Sequence, residues 1–150
     1  MRKAVIFLLV AAFAFISCTP ERDHTVTHRR NGLPDQWVYR TDKHSYKIAI
    51  DTNGDGRPDI VKTYKNDQTI EIESDRDFDG RTDLVQVYLN GDLIREIHDD
   101  DFDGKPEKIE EFKHGRLAII ERDPQERGYI DIVEHYDDSG QLIRREIRQR

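Results

Sequence analysis

The chain has 150 residues, 37% charged and 35% hydrophobic, with a formal net charge of −7. That length suits one small domain with a modest core. The acidic balance argues against nucleic acid, which requires a basic footprint, and a single cysteine excludes an internal disulfide.

Residues 1–17 read as a secretory signal. Arg2 and Lys3 form a positive start, and Ala4 to Ile16 is an unbroken apolar run. That run is too short to span a bilayer as a helix and fits the core of a signal peptide. Removing 1–17 takes away two positive charges, moving the net charge from −7 to −9. Phe15-Ile16-Ser17-Cys18 resembles a bacterial lipobox, with Phe15 where leucine is usual. The resemblance implies lipidation of Cys18, which becomes the mature N-terminus and anchors the protein to a membrane without a transmembrane helix. Thr19, not Asp, follows the cysteine. In lipoproteins of Gram-negative type that implies sorting to the outer membrane, so the expected location is the bacterial cell envelope. Residues 18–26 then form the lipidated cysteine and a short polar tether, and 27–150 a five-repeat β domain.

The repeat is most visible from 51 to 107. Three loops there read D-x-[DN]-x-D-G-x-x-[DE]. Position 1 falls at Asp51, Asp75 and Asp99, so the period is 24 residues. The first loop offers Asp51, Asn53, Asp55, Arg57 and Asp59 at positions 1, 3, 5, 7 and 9. The second offers Asp75, Asp77, Asp79, Arg81 and Asp83, and the third Asp99, Asp101, Asp103, Lys105 and Glu107. Oxygens at positions 1, 3 and 5 converge when the backbone wraps around a point. Glycine at position 6 permits the sharp turn, position 7 supplies a backbone carbonyl, and the acid at position 9 closes the cage. Hard oxygen donors in that number suit Ca2+ better than Zn2+, copper or Mg2+. The three loops hold twelve carboxylates, which repel one another without a cation. The second loop, with Asp at all four side-chain positions, is expected to bind most tightly.

These loops resemble the calcium loops of EF-hands, dockerins, thrombospondin type 3 repeats and integrin-type propeller hairpins. The resemblance covers the loops alone. An EF-hand has Glu at position 12, where this chain has Lys62, Gln86 and Glu110, so the position-9 acid is the expected closing ligand.

One period before Asp51 lies Thr27, with Arg29, Asn31, Gly32 and Asp35 at the later loop positions. One period after Asp99 lies Asp123, with Gln125, Arg127, Gly128 and Asp131. Arg29 and Arg127 put cations where a metal needs oxygens. These outer units read as capping repeats that keep the turn and drop the ion, with arginine as an internal substitute charge.

Each loop leads into a short β-rich segment: Trp37 to Tyr39, Ile60 to Tyr64, Leu84 to Tyr88, Lys108 to Phe112 and Ile132 to Tyr136. Tight turns such as Asn90-Gly91, His114-Gly115 and Ser139-Gly140 follow, and a second strand feeds the next loop. The predicted fold is all-β: an antiparallel meander of five hairpins and about ten strands, twisted open or closed into a barrel. Wide acidic loops line one edge and tight turns the other. Tyr64, Tyr88, Phe112 and Tyr136 are expected to form an aromatic ladder. Trp37, Val61, Val85, Ile109 and Val133 form a second apolar ladder on the opposite face. The repeat resembles units of bacterial secreted repeat proteins and, more distantly, MORN-like hairpin repeats, which implies a fold and metal loops but no activity.

No catalytic constellation is visible. Ser17, Ser45, Ser74 and Ser139 lie outside any nucleophile elbow. His24, His28, His44, His98, His114 and His135 are scattered along the chain and read as solvated strand or turn residues. The expectation is a non-enzymatic, calcium-binding envelope lipoprotein that acts as a scaffold or binds an envelope protein or polysaccharide. The alternatives are an immunity or toxin-related hairpin module and an accessory subunit of a glycan-acting enzyme.

Overall fold

The computed structural model describes residues 26–28 and 34–148. The signal segment, Cys18 and most of the tether lie outside the described residues. Eleven strands form one antiparallel sheet in strict chain order. They are β1 (Val26–His28), β2 (Pro34–Arg40), β3 (Ser45–Ile50), β4 (Ile60–Lys65), β5 (Gln68–Ser74), β6 (Leu84–Leu89), β7 (Asp92–His98), β8 (Lys108–Lys113), β9 (Arg116–Arg122), β10 (Ile132–Tyr136) and β11 (Leu142–Ile147). β1 does not pair with β11, so the sheet stays open rather than closing into a barrel. The five expected hairpins are β2–β3 through β10–β11. The eleventh strand is the short β1, which pairs Thr27 with Gln36. Thr27 therefore lies in a strand, not in a loop as the period suggests.

Turn chemistry fixes the hairpin ends. Asn66 and Asp67, Asn90 and Gly91, and His114 and Gly115 all have positive φ. This is the two-residue turn whose twist matches paired strands. The last four hairpins share one irregularity. Register slips just before Tyr64, Tyr88, Phe112 and Tyr136, leaving Ile70, Ile94, Ala118 and Ile143 as extra residues in the second strand. These bulges increase local twist.

Direct cross-strand partners share a face. One row runs Trp37, Ala49, Val61, Glu73, Val85, Ile97, Ile109, Glu121, Val133 and Glu146. The expected Trp–Val–Ile ladder is present but occupies every second strand, and Glu73, Glu121 and Glu146 interrupt the row. Tyr64 lies on the opposite face, as expected. It does not belong to a continuous aromatic ladder, because Tyr64, Tyr88, Phe112 and Tyr136 sit on alternate strands. Its ring instead stacks on Tyr46 across the β3–β4 pair, with centroids 4.7 Å apart.

Among the described residues the sheet has no second layer, and the apolar core is small: Ala49, Val85, Ile109, Ile120 and Val133. The buried polar residues outnumber them and are all acids: Asp51, Asp59, Asp83, Asp99, Asp123, Asp131 and Glu134. All but Glu134 line the wide-loop edge, so that edge, not an apolar interior, is the best-covered part of the molecule.

Candidate metal centre

Backbone pairing at the loop edge brings the acids into one row. Each position-9 amide bonds the carbonyl just before its own loop: Asp59 to Ile50, Asp83 to Ser74, Glu107 to His98 and Asp131 to Arg122. Each position-1 amide bonds the position-9 carbonyl of the preceding loop: Asp51 to Asp35, Asp75 to Asp59, Asp99 to Asp83 and Asp123 to Glu107. Consecutive loops therefore stack side by side at strand spacing.

Within a loop, backbone amides wrap around the carboxylates in a repeated pattern. The position-6 glycine donates to the position-1 carboxylate at 2.9 Å (Gly56 to Asp51), 2.8 Å (Gly80 to Asp75) and 2.8 Å (Gly104 to Asp99). Position 5 donates to position 3, and position 7 to position 5, so Asn53, Asp77 and Asp101 each cap the next turn, as do Asp55, Asp79 and Asp103. The position-2 amides of Thr52, Arg76 and Asp100 donate to Asp59, Asp83 and Glu107. A carboxylate oxygen that accepts one amide keeps a further lone pair.

The geometry requires left-handed backbone at position 4 as well as at the glycine. Gly54 meets this freely at φ 89°, whereas Phe78 and Phe102 adopt 67° and 66°. For a bulky residue that conformation costs about 1–2 kcal/mol. The Arg76 guanidinium lies 5.5 Å from the Phe102 ring centroid, and it donates to the Asp99 carbonyl at 2.7 Å and to Asp100 at 2.9 Å, tying the second loop to the third.

The sequence-predicted ligands converge, though unevenly. Carboxylates within 4.8 Å of one another are Asp51, Asp55 and Asp59 in the first loop, and Asp75, Asp77 and Asp83 in the second. In the third they are Asp99, Asp101, Asp103 and Glu107. Asp79 is not part of the second group. Its partner is Arg81, 3.6 Å away on the exposed rim, so the third loop, not the second, gathers most acids. Arg57, Arg81 and Lys105 stand at position 7, where only the backbone carbonyl was expected to serve. The Lys105 ammonium pairs with Asp103 at 2.8 Å, also on the rim.

Burial pushes the pKa of Asp75, Asp99 and Glu107 up. The Gly80, Gly104 and Asp100 amides partly offset this, and neighbouring carboxylates add to the rise. Among the described residues no Lys or Arg side chain forms an ion pair with the carboxylates of Asp75, Asp83 or Asp99, although Arg76 donates to the Asp83 and Asp99 backbone carbonyls. In the first two loops the position-4 amide donates to the position-1 carboxylate, from Gly54 at 2.5 Å and from Phe78 at 2.7 Å. In the third loop the Phe102 amide also lowers the Asp99 pKa, but no donor meets the distance and angle of a hydrogen bond to Asp99 Oδ1. Asp99, 5% exposed, is left with a buried Oδ1 that has no hydrogen-bond partner. Asp131 Oδ1 in the fourth loop is likewise buried without a partner, so what fits a hard cation in the third loop is its all-oxygen donor set.

The fourth loop repeats the backbone but not the donor set. Glu126 and Gly128 keep the positive φ of positions 4 and 6, at 52° and 76°. Asp123 accepts the Tyr129 amide at 2.9 Å. The Arg127 guanidinium bonds the Asp131 carboxylate and lies 4.6 Å from the Tyr129 ring centroid. In the corresponding first unit only Thr27 and Asp35 fall among the described residues; Arg29, Asn31 and Gly32 do not.

Sequence reading passed over one further cluster, Glu96, His98 and Glu110, because its members meet only through strand pairing. No family model matches the chain, and comparison with curated proteins and with solved structures finds no match.

Proposed function

We propose that the chain is a calcium-stabilised repeat scaffold, held in the bacterial envelope by a lipid on Cys18, that presents its sheet to an envelope protein or polysaccharide without catalysing a reaction. The observation that carries the metal assignment is the contrast between neighbouring loops. Where the acidic set is complete, the carboxylates of the buried acids Asp83 and Asp99 form no ion pair with a Lys or Arg side chain, Arg76 reaching only their backbone carbonyls. Where it is incomplete, Arg127 supplies a cation to Asp131. The same backbone thus takes its positive charge from the chain in one loop and from solution in the others.

Asp51, Asn53, Asp55 and Asp59 would hold one ion, Asp75, Asp77 and Asp83 a second, and Asp99, Asp101, Asp103 and Glu107 a third. The carbonyls of Arg57, Arg81 and Lys105 would complete the cages. Three Ca2+ would offset six of the excess negative charges. With so small an apolar core, metal binding becomes folding free energy. Extracellular modules of this kind work at Kd of roughly 10^-4 to 10^-3 M, so modest affinity suffices. The envelope role rests on the signal-like start, the lipobox-like Cys18 and the absence of a recognisable catalytic set in the sequence.

Thermal unfolding of the full chain in chelator and in millimolar calcium tests the metal role. A rise in melting temperature with calcium, larger than with equal magnesium, is expected. Identical melting in chelator and in calcium would overturn it.

A further inference from the structure

We propose that Glu96, His98 and Glu110 form a separate cation site that takes Zn2+ or a similar first-row divalent ion. It lies on the face of β7 and β8 and borders the third loop, where His98 Nδ1 is 4.0 Å from Asp100 Oδ1. Glu96 and Glu110 are direct cross-strand partners, and His98 lies two residues along β7 from Glu96 on the same face. His98 Nε2 is 3.5 Å from Glu96 Oε2 and 3.2 Å from Glu110 Oε2.

Three features point to a metal. First, two carboxylates directly opposite each other in a sheet are destabilising unless a cation lies between them. Lys108 reaches Glu110 Oε2, the oxygen that also faces His98, at 3.2 Å, while Glu96 takes the neutral Gln86 amide on Oε1 at 2.6 Å and has only His98 beside Oε2. Second, the His98 ring is largely covered, at 14% exposure, and its Nε2 is buried with no hydrogen-bond partner although two carboxylates flank it. Third, the spacing suits zinc. Donors about 2.0–2.2 Å from a tetrahedral ion stand roughly 3.4 Å apart, close to the two measured separations. An imidazole nitrogen with two carboxylate oxygens selects zinc-like ions, whereas the loops, with oxygen alone, select calcium. Only three protein donors converge, which leaves a fourth position for water or a ligand.

The proposal does not rest on calcium binding by the loops, and its test separates the two. Zinc chloride is titrated into the full chain with calcium in excess, so that any calcium cages are filled. Calorimetry and the ring-nitrogen resonances of 15N-histidine are followed together. One zinc ion is expected to bind and to shift the Nε2 resonance of His98. His98→Gln and Glu110→Gln should each weaken binding by more than about tenfold, since losing even a partner outside the ligand shell costs about 10–100-fold. If either variant loses its strand signal, the wild-type His98 resonance still decides the matter. No zinc uptake, uptake with His98 unmoved, or affinity unchanged in folded His98→Gln would each overturn the site.

Discussion

Replacing Arg127 by aspartate is expected to exchange an internal cation for an external one. The Arg127 guanidinium bonds Asp131. Opposite unit charges about 4 Å apart attract by roughly 4 kcal/mol at an effective dielectric near 20. The Arg127 side chain is 41% exposed, and screening reduces the contribution to about 1–2 kcal/mol. Arg127→Ala removes that attraction. Arg127→Asp turns it into a repulsion of similar size, for a total loss of about 2–4 kcal/mol. At about 2–4 °C per kcal/mol for a chain of this size, Arg127→Asp should melt roughly 4–16 °C below wild type in chelator. The new carboxylate would complete a set with Asp123, Gln125 and Asp131 on a backbone that already has positive φ at Glu126 and Gly128. Calcium should therefore restore Arg127→Asp and raise the number of bound ions by one, while leaving the deficit of Arg127→Ala unchanged. Melting curves in chelator and in calcium, with calorimetric stoichiometry, read both effects. An Arg127→Asp deficit equal in the two buffers, with no added ion, would refute the idea that the guanidinium stands in for a metal.

Other consequences can be measured separately. Asp99→Asn should cost more calcium affinity than Asp51→Asn, because the third loop gathers four acids and the first three; equal losses in calorimetric titration would contradict that order. Arg145→Met should destabilise by about 1–2 kcal/mol at neutral pH. Glu134 accepts hydrogen bonds from Arg145, which hold its pKa below the usual 4.5. Burial of the side chain pushes the pKa the other way, but the Arg145 hydrogen bonds outweigh it. A lowered carboxylate pKa contributes stability above 4.5 that disappears as pH falls through the folded value. The wild-type and variant stability curves should therefore converge in acid; a gap that stays constant with pH would sink the assignment. Cys18→Ser should move the protein from the membrane fraction to the soluble one, and unchanged fractionation would argue against a lipid anchor.

Much of the fold is legible in the sequence because each hairpin is local. The 24-residue period, the Asn-Gly and His-Gly turns and the alternation of apolar residues specify the meander. Features created by pairing are less visible. The slip before Tyr64, Tyr88, Phe112 and Tyr136 depends on one extra residue in the partner strand. The expected aromatic ladder failed because neighbours in the repeat are two strands apart in space. Tyr46, outside the repeat position, is the residue that meets Tyr64. Loop ligands are readable because nine consecutive residues contain a cage. By contrast, Glu96, His98 and Glu110 span two strands and share no motif. The rim pairing of Asp79 with Arg81 also escaped the pattern, because a position in D-x-D-x-D does not say which way its carboxylate turns.

Calcium titration of the full chain, starting in chelator and followed by calorimetry and circular dichroism together, tests the central claim most directly. Uptake of about three ions with a rise in strand signal is expected. No uptake at millimolar calcium, with the strand signal already complete, would show that the Asp-Gly loops are turns alone and would contradict a calcium-stabilised scaffold.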